Sequence, residues 1–434
     1  MRRLAAGAVV CLAALAAGPP PAAAPAAAAG PAAAANTGLP RLVVRTAGPI
    51  RDEPKVAGAL QVRRGGRTTF RGRIGIEVRG HSSRNFPKKQ YALETRDGRG
   101  KDRDVSLLGL PRESDWVLSA PYSDKTLMRN VLAYRAARDL GHYASRTVYV
   151  ELVLNGRYDG VYVLSERPKL GERRIAAVRT DVTGGYLLEL TLGQKLRAGD
   201  TWFQTPVTRQ AVAVAGAGGR QAEVRRSWIA AYVASFEHVL YGRDFRDPED
   251  GWRRYLDPAT AVDYVLLQEL FKNQDAFLSS TFAHKPSGGK LVLGPLWDFD
   301  VALGNSNYGR SATVSGWLLT PRAPRAWASR LYDDPAFLDA VERRWREVRQ
   351  QGLVERLLRQ VDADSARLAA AQRRNFARWP ILGRYVWPNP YDPTTGGIRR
   401  TYAAEVAYLK TWLRARAAWL DANVGTLGRE WGTR

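Results

Sequence analysis

The sequence predicts an α+β chain of two lobes, β-rich first and helical second, with a cleft between them. Three observations predict it. Short alternating apolar runs broken by Gly, Pro and Asn fill residues 40–170, and longer stretches of helical periodicity dominate 171–430. A chain of 434 residues that is 45% hydrophobic also has enough apolar content for one large core or two smaller ones.

Taken in order, Leu42 to Thr46, Ala59 to Val62, Thr68 to Arg79 and Gln90 to Thr95 read as strands of a twisted sheet. Ser123 or Asp124 is positioned to cap a helix whose apolar residues Leu127, Met128, Val131, Leu132, Ala136 and Leu140 fall at helical spacing, with Gly141 at its end. Thr147 to Leu154 and Tyr158 to Leu164 flank Asn155-Gly156, a strong two-residue hairpin signal. Gly185 to Leu190 is a further strand, and Thr201 to Gly219 is irregular or β-like. Arg226 to Tyr241 reads as a helix. Asp257-Pro258 opens another, with a capping carboxylate before a first-turn proline. Leu291 to Asp300 reads as an apolar strand, and Phe337 to Val361 and Tyr402 to Val424 as long amphipathic helices.

The first residues have a different purpose. Met1-Arg2-Arg3, the apolar Leu4 to Ala17 and the small residues around Ala22 to Ala24 form a secretory signal pattern over 1–24. A Pro/Ala-rich linker over 25–39 follows, and the 40–430 domain after it offers no apolar run long enough to span a bilayer. The expected location is therefore secreted or extracytoplasmic.

Cys11 is the single cysteine and lies within the leader, which excludes disulfides, thiolate metal sites and cysteine nucleophiles from the mature chain. The four histidines (His81, His142, His238, His284) fall at no metal-binding spacing. The formal charge of +24 comes mostly from arginine, which a GC-rich genome explains without function; its functional reading is an anionic partner such as a cell-surface polymer. The basic residues are scattered and carry no nucleic-acid motif.

Three clusters carry chemistry. Arg79-Gly80-His81-Ser82-Ser83, followed by Lys88-Lys89, offers backbone, hydroxyl and ammonium donors suited to phosphate oxygens, though it also fits an ordinary hairpin with surface lysines. Asp275, just past the helix opened by Pro258, can accept a proton from an attacking hydroxyl, or simply end a helix. In Trp297-Asp298-Phe299-Asp300, residues two apart on a strand share a face, so both carboxylates are expected to converge on one hard cation or on basic partners. The order of these parts suits phosphoryl transfer, in which the protein mainly positions groups and neutralises charge.

With these stretches, together with Asp124-Lys125, Arg129-Asn130, Asn155 to Tyr162, Glu166 and Asn273, the chain resembles the CotH family of atypical secreted or spore-coat protein kinases. The resemblance implies a divergent two-lobed protein-kinase-like fold that transfers the γ-phosphoryl of ATP, with Mg²⁺ or Mn²⁺, to Ser or Thr of a protein substrate. It implies Asp275 as the residue that orients or deprotonates the acceptor. It makes Asp298 and its neighbour Asp300 metal ligands, and Lys89, with Lys88 as the fallback, the phosphate-contacting lysine. Arg79, Ser82 and Ser83 cradle phosphate, and Glu166 borders the adenine. Two departures stand out. Ser280 occupies the metal-binding position where many relatives have Asn, and the helix Lys125 to Leu140 has no Glu to pair with the strand lysine. A catalytically weak surface or cell-wall binding protein is the first alternative. A glycosyltransferase using Asp298-Phe299-Asp300 for a nucleotide sugar is the second.

Overall fold

The computed structural model describes residues 37–177, 181–216, 221–320 and 325–429. The expected signal segment and nearly all of the linker lie outside the described residues.

The chain is α+β. Its first strands are β1 (Arg41–Thr46), β2 (Val56–Arg64), β3 (Arg67–Arg79), β4 (Gln90–Arg96), β5 (Asp115–Ser119), β6 (Thr147–Leu154) and β7 (Arg157–Glu166). They close into a barrel in the order β1-β2-β3-β4-β5-β7-β6, in place of the open twisted sheet that the sequence suggests. Closure comes from a parallel pairing of β1 with β6, in which Leu42 lies beside Leu152. The other pairings are antiparallel and set alternate residues into one interior: Leu42 opposite Val62, Val44 opposite Leu60, Ile76 opposite Leu93, and Leu93 opposite Trp116. These side chains form the barrel's own apolar core. The β6–β7 turn uses Asn155 and Gly156 with φ of 49° and 83°, the left-handed pair that a type I′ hairpin requires.

A second, antiparallel sheet has the order β12-β11-β8-β10-β9. It is built from β8 (Tyr186–Thr191), β9 (Trp202–Gln204), β10 (Ala211–Ala215), β11 (Thr281–Lys285) and β12 (Val292–Leu293). With the helices it shares a larger core, which also takes in Val117, Tyr149, Val161 and Val163 from the outer surface of the barrel.

The helices are α1 (Arg129–Asp139), α2 (Ala222–Leu240), α3 (Pro258–Phe271), α4 (Ala328–Leu331), α5 (Pro335–Gln350), α6 (Leu353–Arg378) and α7 (Tyr402–Asn423). In α3, Asp257 accepts the Thr260 N–H and Pro258 opens the first turn, as the sequence expects. Every residue from Ala261 to Phe271 is buried, so α3 is the central helix. Buried Arg416 of α7 grips its end, donating to the Glu269 carbonyl at 2.9 and 3.1 Å.

Three expectations change. The helix foreseen from Asp124 starts at Arg129, because Leu127 takes a left-handed φ of 67°; Asp124 still accepts the Arg129 N–H at 2.8 Å. The single helix from Phe337 to Val361 is two, broken at Gly352 with φ 75°. The strand from Leu291 to Asp300 shrinks to Val292–Leu293, so Asp298 and Asp300 are not strand neighbours. Two short strands, β5 and β11, were not foreseen.

Candidate active site

The Arg79–Ser83 turn begins where β3 ends. Gly80 has φ 101°, and a Cβ there would lie 2.0 Å from the Ser83 hydroxyl, so only glycine lets the chain fold back this tightly. A short 3₁₀ turn, Ser82–Asn85, follows. Its start presents His81, Ser82 and Ser83 to a narrow cleft of about 70 Å³.

Asp275 enters the same cleft from the end of α3. Lys272 closes that helix in the left-handed region, its ammonium held by the Thr313 and Ser315 carbonyls at 3.0 and 2.7 Å. The Asn273 side chain then accepts the Asp275 N–H at 3.2 Å, and the Asp275 carbonyl accepts the N–H groups of Leu278 and Ser279, both at 3.0 Å. The backbone around the carboxylate is thereby pinned. Burial, and next the charge of Asp298, hold the Asp275 carboxyl above its ordinary value.

The third component is the Trp297–Asp300 segment. Trp297 stacks on Tyr134 of α1 with centroids 5.6 Å apart, and the Arg79 guanidinium lies 5.6 Å over the Trp297 ring. Asn130, also on α1, accepts the Phe299 N–H at 2.6 Å, and the Phe299 ring packs edge-on against Phe271 of α3. Asp298 has φ 66°, a conformation uncommon outside glycine, asparagine and aspartate. The side chains of Asp298 and Asp300 both reach the cleft on either side of the buried Phe299. Ser280, itself at φ 51°, donates to Asp298 Oδ2 at 3.3 Å.

Arg79, Ser82, Ser83, Asp275, Asp298 and Asp300 therefore line one cleft, and Ser280 joins them through Asp298. The other candidates go elsewhere. Lys88 is buried, donates to the Val161 carbonyl at 2.6 Å and to Asn375 Oδ1 at 3.0 Å, and does not line the cleft. Lys89 turns back to the Arg84 carbonyl at 2.5 Å, where it fastens the 3₁₀ turn. Glu166 is fully buried against Arg146, taking its backbone N–H at 2.9 Å and its guanidinium at 2.9 to 3.0 Å, and it too does not line the cleft. Lys89 was expected to meet Asp275 and Asp298; the two aspartates meet without it.

The site also holds groups that sequence reasoning missed. Lys195 lines the cleft from the loop after β8, with no motif around it to signal this. Ser123 does so too, and its buried hydroxyl has no partner among the described residues. Glu189 of β8 responds to Arg79, Lys195 and Asp298, and its carboxyl is pushed up to about 7, chiefly by burial.

Among the described residues, no three His, Cys, Asp or Glu side chains are grouped as a complete metal site. The donors nonetheless suit a hard cation. Asp300 is held well above the usual carboxylate range by burial and then by Asp298, Asp124 and Asp275, a crowding of like charge that a cation relieves. Mg²⁺ is commonly held by one or two carboxylates, with water and phosphate completing its shell.

No helix among the described residues is long and apolar enough to cross a membrane. No curated protein matches the chain. A family model described as CotH kinase protein matches residues 76–420, most of the chain.

Proposed function

Since the chain belongs to the CotH kinase protein family, we propose that it is a secreted kinase that transfers the γ-phosphoryl group of ATP to Ser or Thr of a protein substrate. The barrel is the first lobe of a divergent kinase-like fold, and the helical half is the second. The observation that carries this reading is the convergence of the Gly80 turn, Asp275 and the Asp298–Asp300 pair on one cleft.

Asp275 takes the proton of the acceptor hydroxyl as that oxygen bonds to the γ-phosphorus and the bond to the β-phosphate oxygen breaks, leaving ADP. Its raised proton affinity suits that task. Ser82, Ser83 and Arg79 supply donors to the phosphates. Mg²⁺ or Mn²⁺, held by Asp298 and Asp300 with the Ser280 hydroxyl alongside, supplies neutralisation of phosphate charge when bound. The +24 charge fits a protein substrate or carrier polymer that is anionic.

The full chain, incubated with labelled ATP, either cation and Ser/Thr-containing proteins, is expected to transfer label, and Asp275→Asn to reduce transfer by about 100-fold or more, the scale of general-base catalysis. Equal labelling by the two proteins would exclude the reading. One observation favours a second reading: Ser280 offers a neutral hydroxyl to Asp298 at a position where the resemblance expects an amide. A surface- or wall-binding protein kept without nucleotide would then label no acceptor and show no thermal shift with nucleotide and metal.

A further inference from the structure

We infer that Lys195 is the cation that grips the terminal phosphates in this cleft, the part that the family resemblance implies for Lys89, with Lys88 as the fallback; the assignment rests on the phosphotransfer reading above. Lys195 is the one lysine that lines the cleft among the described residues. It ends a 3₁₀ turn, Gly193–Lys195, and its ammonium donates to the Ser279 hydroxyl at 2.5 Å. Ser279 belongs to the Asp275 turn, its N–H bonded to the Asp275 carbonyl at 3.0 Å, so the ammonium lies across the mouth of that turn. An ammonium has three donors, and one is used here, which leaves two for a ligand.

The other two lysines of the region are engaged elsewhere, and Arg79 shares the cleft with Lys195. Lys88 and Lys89 each serve a backbone carbonyl and do not line the cleft. Arg79 gives one N–H to Gln90 at 3.3 Å and rests on Trp297.

The loop bearing Lys195 is also strapped in place. Arg197, two residues on, pairs with Asp52 at 3.1 Å and with Glu53. Asp52 pairs in turn with Arg84 of the Ser82–Asn85 turn. One carboxylate in the β1–β2 loop thus ties together both segments that offer donors to phosphate, the hydroxyl turn on one side and Lys195 on the other.

The test measures affinity for Mg·ATP and for inorganic tripolyphosphate by calorimetry on the full chain. The variants are Lys195→Ala, Lys195→Arg and, as a control for lost net charge, the exposed and remote Lys101→Ala. Lys195→Ala is expected to weaken both probes about tenfold or more, as loss of a charge-assisted hydrogen bond does. Lys195→Arg is expected to recover most of the affinity, and Lys101→Ala to change it less than about twofold. If Lys195→Ala melts early without ligand, Lys195→Gln, which can keep the Ser279 contact, takes its place.

Unchanged affinity in Lys195→Ala, or an equal loss in Lys101→Ala, overturns the assignment and leaves the kinase reading standing. A wild type that binds neither probe overturns both. Loss of affinity on removing Lys195, in a wild type that binds but labels no acceptor, supports the assignment and removes the kinase reading.

Discussion

Asn130 and Phe299 are joined by a hydrogen bond of 2.6 Å from the Phe299 backbone N–H to the Asn130 side-chain oxygen, across 169 residues of sequence. The bond fixes the midpoint between Asp298 and Asp300 to α1, so one amide sets the position of both carboxylates. Asn130→Ala leaves a buried N–H without its partner and is expected to cost about 1–3 kcal/mol in denaturant unfolding. Phosphotransfer is expected to fall about tenfold or more, because small displacements of catalytic groups are costly. A variant with full activity would show that other contacts hold the segment.

Ser280 adopts φ 51°, a region where asparagine is several-fold enriched. Ser280→Asn therefore fits the existing backbone better and brings an amide oxygen toward Asp298. Activity titrated against Mg²⁺ is expected to reach half-maximum at a several-fold lower concentration, with a melting temperature equal to or above that of the wild type. A higher Mg²⁺ requirement would mean that the hydroxyl itself is the better ligand here.

Glu189 supplies a pH signature. Burial lifts its carboxyl from 4.5 to about 7, Arg79 and Lys195 pulling it down and Asp298 adding to the rise. The folded chain thus holds this proton more tightly than the unfolded chain does. Its contribution to stability is complete below pH 4.5 and is lost as pH rises through about 7, a change of roughly 3 kcal/mol. Unfolding of Glu189→Gln between pH 4.5 and 8 is expected to lack that decline. An identical slope in the variant would place the titration elsewhere.

Lys88 has the opposite sign. Burial pushes its ammonium down to about 7, with Asp159 opposing. The neutral form is favoured in the fold, so the stabilising contribution is present above pH 10.5 and is lost as pH falls through about 7. Lys88→Met is expected to flatten the rise in melting temperature between pH 7 and 10. Persistence of that rise would assign it to another buried amine, such as Lys272, which is also pushed down to about 7.

What could be read from the sequence was local. The Asn155-Gly156 turn, the Asp257-Pro258 cap and the alternation in β1 to β4 each lie within a few residues, and each stands where expected. Barrel closure was not readable, because it depends on β1 meeting β6 across more than one hundred residues. The aspartates of the site carry their own signal, since two acids emerging from an apolar run need a partner. The lysines do not: which of Lys88, Lys89 and Lys195 enters the cleft is decided by where β4 begins and how the loop after β8 is braced. The left-handed backbone at Asp298 follows from contacts with α1, which no window around residue 298 contains.

A barrel whose first and last-paired strands meet has no hydrogen-bonding margin to offer to another polypeptide, so a substrate cannot extend it by adding a strand. Among the described residues the smaller sheet ends at β9 and at β12, and next to β12 Leu291 already bridges to Leu256. Each of these end strands is only two or three residues long, too short a template for growing aggregates. On the kinase reading proposed above, a protein substrate would be recognised by its side chains and charge rather than by main-chain pairing with the barrel, which would leave acceptor sequences free to differ in backbone shape.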